Sequence, residues 1–305
     1  GLGKLFHRKK KRAFKNYGNL IGLLCVPFIW YIVLYGSFIG FNKLEVNRHT
    51  YRSPDLPEEF DGYKVVVLSD IHVGSYTKRN QYVLQRAIDS INAQRPDLIV
   101  FTGDIQNTVP QEIYQHLDIL SSLKAKDGIY SVLGNHDYGD YICGNTARKV
   151  ANCRETMSLE QQMGWTLLMN EHRVINRNKS SIIIAGMEND GDGIRFPQNG
   201  DIERTLGRKE ESGMRPFVLM LEHDPSSWRR KIIPDGRAQL TLSGHTHKMQ
   251  FTLFGWCPMT LLGKEVTGWY KEGQQSLFVT AGLGGLIPFR FGATGEIVVL
   301  TLRKE

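Results

Sequence analysis

Five short apolar runs in this chain of 305 residues end in the same few residue types: aspartate, histidine and asparagine. Residues 64–69 (KVVVLS) lead into Asp70-Ile71-His72, and residues 98–102 (LIVFT) into Gly103-Asp104. Residues 128–133 (GIYSVL) lead into Gly134-Asn135-His136-Asp137. Residues 217–221 (FVLML) lead into Glu222-His223-Asp224, and 239–242 (QLTL) into Gly244-His245-Thr246-His247. Short β-branched apolar runs of this kind predict buried strands. In open α/β sheets, sites form at the carboxyl ends of strands. Five strands therefore deliver polar groups to one edge. A single Asp-x-His is explained by one buried hydrogen-bonded pair, and Gly-Asp is common in turns. The five blocks together are not explained that way. Of the nine histidines, His72, His136, His223, His245 and His247 fall in these blocks, whereas His7, His49, His116 and His172 are scattered.

Between the first strands, residues 81–93 carry Val83, Leu84, Ala87, Ile88 and Ile91 at helical spacing, and residues 111–123 are helical in pattern. Strand, helix, strand, helix, strand with short links predicts a parallel sheet with right-handed crossovers. The second half is richer in strands, at 181–185, 217–221, 239–242, 277–280 and 296–302. The fold class is α/β with more than one sheet.

The blocks contain the donors of a divalent metal centre. Imidazole and carboxylate bind Zn, Fe, Mn and similar ions, and no thiolate is present in them to select a soft one. Asp-x-His is expected to put two ligands on one side of an extended strand, and the glycines to let backbone and substrate approach.

The motif order resembles that of the calcineurin-like metallophosphoesterase superfamily: Asp-x-His, Gly-Asp, Gly-Asn-His-Asp, a lone His, then Gly-His-x-His. The resemblance covers roughly residues 60–303 and is nearest to a membrane-associated bacterial branch, the YkuE/YaeI-like phosphohydrolases. Residues 184–190 (IAGMEND), 221–225 (LEHDP) and 279–290 (VTAGLGGLIPFR) add to it. It implies a four-layer αββα sandwich of two mixed sheets and two divalent metal ions. By that resemblance one ion is held by Asp70, His72, Asp104 and His247, and the other by Asp104, Asn135, His223 and His245. Asp104 bridges them, His136 faces the phosphate without binding metal, and Asp137 orients His136. Such a pair of cations activates a bridging hydroxide for in-line attack on a phosphomonoester or phosphodiester. His136 can stabilise the equatorial oxygens and protonate the leaving group.

Two departures bear on substrate shape. Many relatives follow Gly-His-Thr-His with Gly-Gly-Gln, but Lys248, Met249 and Gln250 stand here. Relatives also tend to place Pro before Glu where Gly295 precedes Glu296.

Residues 20–41 (LIGLLCVPFIWYIVLYGSFIGF) contain no charge. As a helix they extend about 33 Å, enough to cross a hydrocarbon core. A cleaved signal peptide has a shorter apolar stretch and a sharper cleavage site. Lys4, Arg8, Lys9, Lys10, Lys11, Arg12 and Lys15 precede the run. They outnumber Lys43, Arg48 and Arg52 after it, which predicts a cytoplasmic N-terminus and an extracytoplasmic body. The domain layout expected is a basic cytoplasmic tail (1–19), a transmembrane helix (20–41), a polar tether (42–62) and a catalytic domain (63–305). Removing those seven tail residues from the 38 Lys and Arg leaves 31, equal to the 31 Asp and Glu. A neutral body is a poor general nucleic-acid binder. The expected partners are a membrane and a phosphorylated small-molecule or lipid substrate; oligomeric state is not readable.

Two segments carry open readings. Residues 138–160 read as a solvated polar loop, or as a substrate reader through Arg148, Lys149 and Arg154. Residues 251–262 (FTLFGWCPMTLL) read as a core strand, or as a lipid-facing surface. Cys143 and Cys153 read as free thiols, or as a pair in an oxidising compartment. Among functions, a phosphoester hydrolase leads. A pyrophosphatase acting on a UDP-activated lipid A precursor is the alternative enzyme, with its substrate on the cytoplasmic leaflet. A non-catalytic scaffold of the same fold is the alternative outside enzymes, and such proteins lose ligands that are all present here.

Overall fold

Val65, Val66, Val67 and Leu68 are all buried, yet they serve two different cores. Alternation across the strand sends Val66 and Leu68 to a cluster with Leu84 and Ile88, and Val65 and Val67 to one with Leu219 and Leu240. A strand covered on both faces reads as an unbroken apolar run. The computed structural model of the chain describes residues 17–194, 196–208, 216–262 and 265–305. Most of the basic tail (1–19), and all seven of its Lys and Arg, therefore lie outside the described residues.

The strands are β1 (Leu44–Ser53), β2 (Lys64–Leu68), β3 (Leu98–Phe101), β4 (Ile129–Ser131), β5 (Thr166–Leu167) and β6 (Glu171–Arg177), followed by β7 (Ser180–Gly186), β8 (Phe217–Leu221), β9 (Leu240–Ser243), β10 (Gly268–Glu272), β11 (Gln275–Val279) and β12 (Gly295–Lys304). The first sheet runs β1-β12-β2-β3-β4-β5, and the second β10-β11-β9-β8-β7-β6. Both are mixed. In the first only β12 and β2 pair antiparallel; in the second the outermost pairs are antiparallel and the centre is parallel. Helix α2 (Gln81–Ala93) covers the outer face of the first sheet, and Trp228, Ile232 and Ala238 cover that of the second. The layers are therefore helix, sheet, sheet, helix.

Helix α1 (Tyr17–Tyr35) buries no residue of its own and continues into a wide turn, Gly36–Gly40. Over Tyr17–Gly40 it is long and apolar enough to cross a membrane, with a mean hydropathy of 2.0. A core helix of that composition would be covered, and this one is not.

Several expectations are corrected. Residues 42–62 are not a tether: β1 pairs with β12 along its whole length, from Leu44 with Gly295 to Ser53 with Lys304. Its charged and polar composition is that of an edge strand, which hides the strand signal. Residues 111–123 form two short helices, α3 (Gln111–Tyr114) and α4 (Leu117–Ser121), broken where the buried His116 ring bonds the Tyr76 carbonyl. Residues 138–160 are mostly not a loop, because α5 spans Thr146–Gln162. Its buried side is Asn152, Thr156, Leu159 and Glu160, too polar to give an apolar period. Residues 251–262 are not a core strand. Leu253 and Trp256 exchange both backbone hydrogen bonds across Phe254 and Gly255. Phe254 (φ 52°) and Gly255 (φ 81°) are both left-handed, as a tight two-residue hairpin turn requires. The four cysteines are free thiols.

Tyr51 shows that β1 belongs to the body. Its hydroxyl donates to the Gln239 carbonyl at 2.9 Å, and its ring stacks on Trp269 at 5.9 Å. Truncating a buried aromatic leaves a cavity and an unpaired acceptor. Tyr51→Ala is expected to lower unfolding stability by about 3 kcal/mol, measured by urea denaturation; a change near zero would return β1 to the status of a linker.

Candidate metal centre

The strand-end residues do not reach the site by pleating. β2 stops at Leu68, and both Asp70 (φ 51°) and His72 (φ 47°) are left-handed. So are Asp104 (φ 62°), His245 (φ 72°) and His247 (φ 48°). This conformation costs a side-chain-bearing residue about 1–3 kcal/mol and persists only where the surroundings enforce it. The enforcement is visible in the backbone. Asp70 N–H donates to Gly103 O at 2.8 Å, His72 N–H to Asp104 O at 3.1 Å, and Gly284 N–H to Asp70 O at 2.9 Å. Neighbouring strand-end loops are thus bonded to one another. The space is tight as well. A Cβ at Gly244 would run into the Asp70 carboxylate and the Ser69 hydroxyl.

Two groups of donors converge. Asp70, His72, Asp104 and His247 bring ligand atoms within 4.8 Å of one another, and so do Asp104, His223 and His245. Asp104 belongs to both. Asn135 joins the second group, with Oδ1 at 3.1 Å from His223 Nε2 and 2.8 Å from His245 Nδ1. The structure therefore brings together all seven residues that the sequence nominated as ligands.

The hydrogen bonds behind the ligands fix their tautomers. His72 Nδ1 donates to the Gln106 carbonyl at 3.1 Å, leaving Nε2 bare. That Nε2 lies 3.2 Å from His247 Nε2 and 3.5 Å from Asp104 Oδ2. Burial holds the His72 imidazole down to about 3, and burial holds His247 well below its usual range. Both rings are therefore neutral near neutral pH, and their converging nitrogens beside the two carboxylates form a donor set that a metal cation fits. In the second group His223 Nδ1 donates to the Thr102 carbonyl at 2.7 Å. Its Nε2 sits 3.2 Å from Asp104 Oδ2. Burial disfavours charge on His223, but the Asp104 carboxylate outweighs it and pushes the ring up to about 10. Burial also raises Asp70 to about 6, with the Asp104 charge adding to it.

His136 lies beside this cluster, its ring 4.9 Å from that of His72. Its Nδ1 donates to the Asn107 carbonyl at 2.5 Å. Asp137 does not orient it. The Asp137 carboxylate instead accepts from the backbone amides of Gly134, Asp104, Ile105 and Gln106, and so ties the β3 loop to the β4 loop. Burial and the Asp104 charge raise Asp137 to about 7, against those donors. The sequence missed three neighbours. Tyr141 stacks on His136 at 4.2 Å and accepts a 2.8 Å hydrogen bond from Asn135 Nδ2. Asp224 stands 3.6 Å from His245 Nε2, and the Asn107 carbonyl holds His136. Asp224 sits inside a motif already quoted, whereas nothing around Tyr141 marks it.

The cluster opens into a cleft of about 240 Å³, lined by His136, Tyr141, Phe196, Met249 and Leu286 among others. Arg148, Lys149 and Arg154 do not line it. Arg148 bonds the Cys143 carbonyl and Lys149 pairs with Asp140 at 3.2 Å.

Comparison with known proteins agrees with this geometry. The profile of the calcineurin-like phosphoesterase family matches residues 63–249. The chain is 34% identical to an uncharacterized metallophosphoesterase, YkuE of Bacillus subtilis, over 88% of this chain and 89% of that one. It is 29% identical to a transmembrane protein with metallophosphoesterase domain from Danio rerio, over 99% and 68% of the two. It is 28% identical to the uncharacterized metallophosphoesterase Cj0846 of Campylobacter jejuni, over 97% and 74%. The chain belongs to the calcineurin-like phosphoesterase family, on its YkuE-like branch.

Proposed function

We propose that the chain is a hydrolase of phosphomonoesters or phosphodiesters that works with two divalent cations, drawn from Mn, Zn, Fe or similar ions. The observation that carries this is the shared carboxylate of Asp104, with Asp70, His72 and His247 gathered on one side of it and His223, His245 and Asn135 on the other. If bound there, such a pair would lower the pKa of a coordinated water and neutralise phosphoryl oxygens. The chain supplies the rest. With Nδ1–H held by the Asn107 carbonyl, the Nε2 of His136 is the nitrogen that can carry a proton into the cleft. As the water oxygen bonds to phosphorus and the ester P–O bond breaks, His136 gives that proton to the leaving oxygen. It is reloaded by the proton that the attacking water releases. Tyr141 packs against the ring and fixes the Asn135 amide, so that Oδ1 faces the histidines. The basic residues before α1 support a cytoplasmic N-terminus and an extracytoplasmic cleft, which a reporter fused after Glu305 tests directly.

The activity test is hydrolysis of bis-p-nitrophenyl phosphate and p-nitrophenyl phosphate by chelated protein resupplied with single metals. Turnover is expected only with added ions and is expected to disappear in Asp104→Asn. His136→Ala is expected to lower kcat by about 10²–10⁴ with metal content unchanged. Tyr141→Phe is expected to weaken binding of one of the two ions by about tenfold. A folded protein that binds no ion would overturn the reading.

Metal affinity should also depend on pH, and the sign follows from His223. Its ring is protonated below about 10 in the metal-free protein. A cation binds only the bare nitrogen, so acid competes with it and base favours it. Affinity is expected to rise about tenfold per pH unit between about pH 6 and 9, with about one proton released per chain. Calorimetry in buffers of differing ionisation enthalpy measures both.

A further inference from the structure

The cleft has an apolar mouth. Phe254 and Leu261 are 100% and 77% exposed, and Met249, Trp256, Leu286 and Ile287 are each about half exposed. Scattered exposed apolar residues need no explanation, but contiguous ones do. These lie on chain segments that are bonded to one another beside the cleft. Met249 and Leu286 line the cleft itself. Gln250 Nε2 donates to the Ile287 carbonyl at 2.9 Å, which ties the 286–289 segment to residue 250. The Leu253–Trp256 turn follows at once, and Cys257 Sγ reaches the Lys248 carbonyl at 3.6 Å. Lys248 and Met249 stand where many relatives have glycines, and with Gln250 they form a left-handed run beside this mouth.

The same segment grips the end of the candidate span. Gly36 lies so close to the Phe289 ring that a Cβ would overlap it, and Gly40 packs likewise on the Arg290 carbonyl. Arg290 N–H donates to Gly36 O at 3.0 Å. The Phe291 ring sits 5.7 Å from Tyr35, 6.1 Å from Tyr31 and 5.7 Å from Phe251. Phe251 and Phe291 are bridged strand-like through their backbones. From α1 to the cleft mouth there is no linker, only packed side chains and hydrogen bonds. Tyr31, Tyr35 and Trp256 are residues of the kind that settles where a bilayer meets water, and Lys43 Nζ bonds the Tyr35 hydroxyl at 2.7 Å at that level.

We propose that the rim of Met249, Phe254, Trp256, Leu261, Leu286 and Ile287 seats in the interfacial layer of the bilayer that α1 crosses, and that the cleft takes its phosphoester from a lipid headgroup there. Continuity with α1 singles out lipid over a protein partner as the occupant. A rim seated about 5–10 Å into the headgroup region puts a headgroup phosphate at the height of the cleft. The lipid's chains then stay in the bilayer while its phosphoester meets the metal ligands. The substrate half of this inference rests on the phosphoesterase reading above; the seating half does not.

The test uses the full chain, Mn-loaded, in phosphatidylcholine vesicles. Chain-brominated phosphatidylcholine is expected to quench a tryptophan signal that is lost in Trp256→Phe. Phe254→Ser/Leu261→Ser is expected to lower hydrolysis of vesicle-borne phosphatidate or phosphatidylglycerol phosphate at least about tenfold. Its kcat/KM for soluble bis-p-nitrophenyl phosphate is expected to stay within about twofold. Equal quenching in wild type and Trp256→Phe overturns the seating, and a dimer that hides Trp256 would give that result. Equal losses on both substrate types, or no loss on either, overturn the rim's role. Turnover of the soluble ester with neither lipid overturns the lipid assignment and leaves the phosphoesterase reading standing. Quenching that is lost in Trp256→Phe, without turnover of any ester, supports the seating and overturns that reading instead.

Discussion

Asp104 is the residue on which the site turns. It follows β3, at the middle of the first sheet, and its carboxylate is fully enclosed by His72, His223 and the loop of β4. A buried carboxylate ordinarily protonates, because burial disfavours its charge. Burial acts on Asp104 too, but the His223 and His136 rings outweigh it and hold the carboxyl well below its usual range. Its backbone contributes as much as its side chain. Asp104 N–H donates to Asp137 and its carbonyl accepts from His72 N–H, while Oδ1 accepts from His136 N–H at 2.9 Å. One residue thus fixes the β2, β3 and β4 loops relative to one another and offers the charge they share.

A second buried ion sets the other half of the frame. Arg290 is almost wholly buried, and its guanidinium donates to the carbonyls of Ala281, Gly282, Gly284 and Ala293. A buried cation is tolerable only with its donors satisfied. Here carbonyls satisfy it, and the cost of burial is offset by ordering a loop. That loop backs the metal ligands: Leu283 N–H donates to Ser69 O and Gly284 N–H to Asp70 O, each at 2.9 Å. Since the Arg290 backbone also holds Gly36, a few contacts join α1 to Asp70. The left-handed strain at Asp70 and His72 is borne by this frame.

How much was readable in the sequence follows from what each residue is buried against. The strands that carry ligands lie inside two sheets, so both their faces are apolar and their runs stand out; β2, β3 and β8 were found almost to the residue. β1 escaped because an edge strand keeps polar groups on its open side. α5 escaped because it buries Asn152 and Glu160 through hydrogen bonds rather than through apolar area; Gln106 Nε2 donates to Asn152 Oδ1 at 2.9 Å, and Ser131 donates to Glu160 at 2.5 Å. The ligand positions were legible from their types and order. Their geometry was not, since Asp-x-His suggested a pleated strand where two left-handed residues stand. The role of Asp137 was misread for a related reason. Sequence neighbours in a tight turn point apart, so the residue next to His136 turns into the backbone of the β3 loop while a carbonyl distant in sequence holds the imidazole.

On the proposed seating, the packed attachment of α1 limits what the cleft can reach. A domain on a flexible tether samples many heights above a membrane, and its cleft can meet soluble or membrane-bound esters alike. Residues 42–62 would have allowed that had they been a linker. Instead β1 begins four residues after Gly40 and runs the length of β12, so the body has one orientation relative to the helix axis. Gly36 and Gly40 are what permit this, because side chains there would separate α1 from Phe289 and Arg290. On the proposed seating, substrate choice is set by where the cleft mouth is held as well as by the shape of the pocket. Gly36, Gly40, Phe289 and Arg290, which hold the mouth against the span, do not line the cleft.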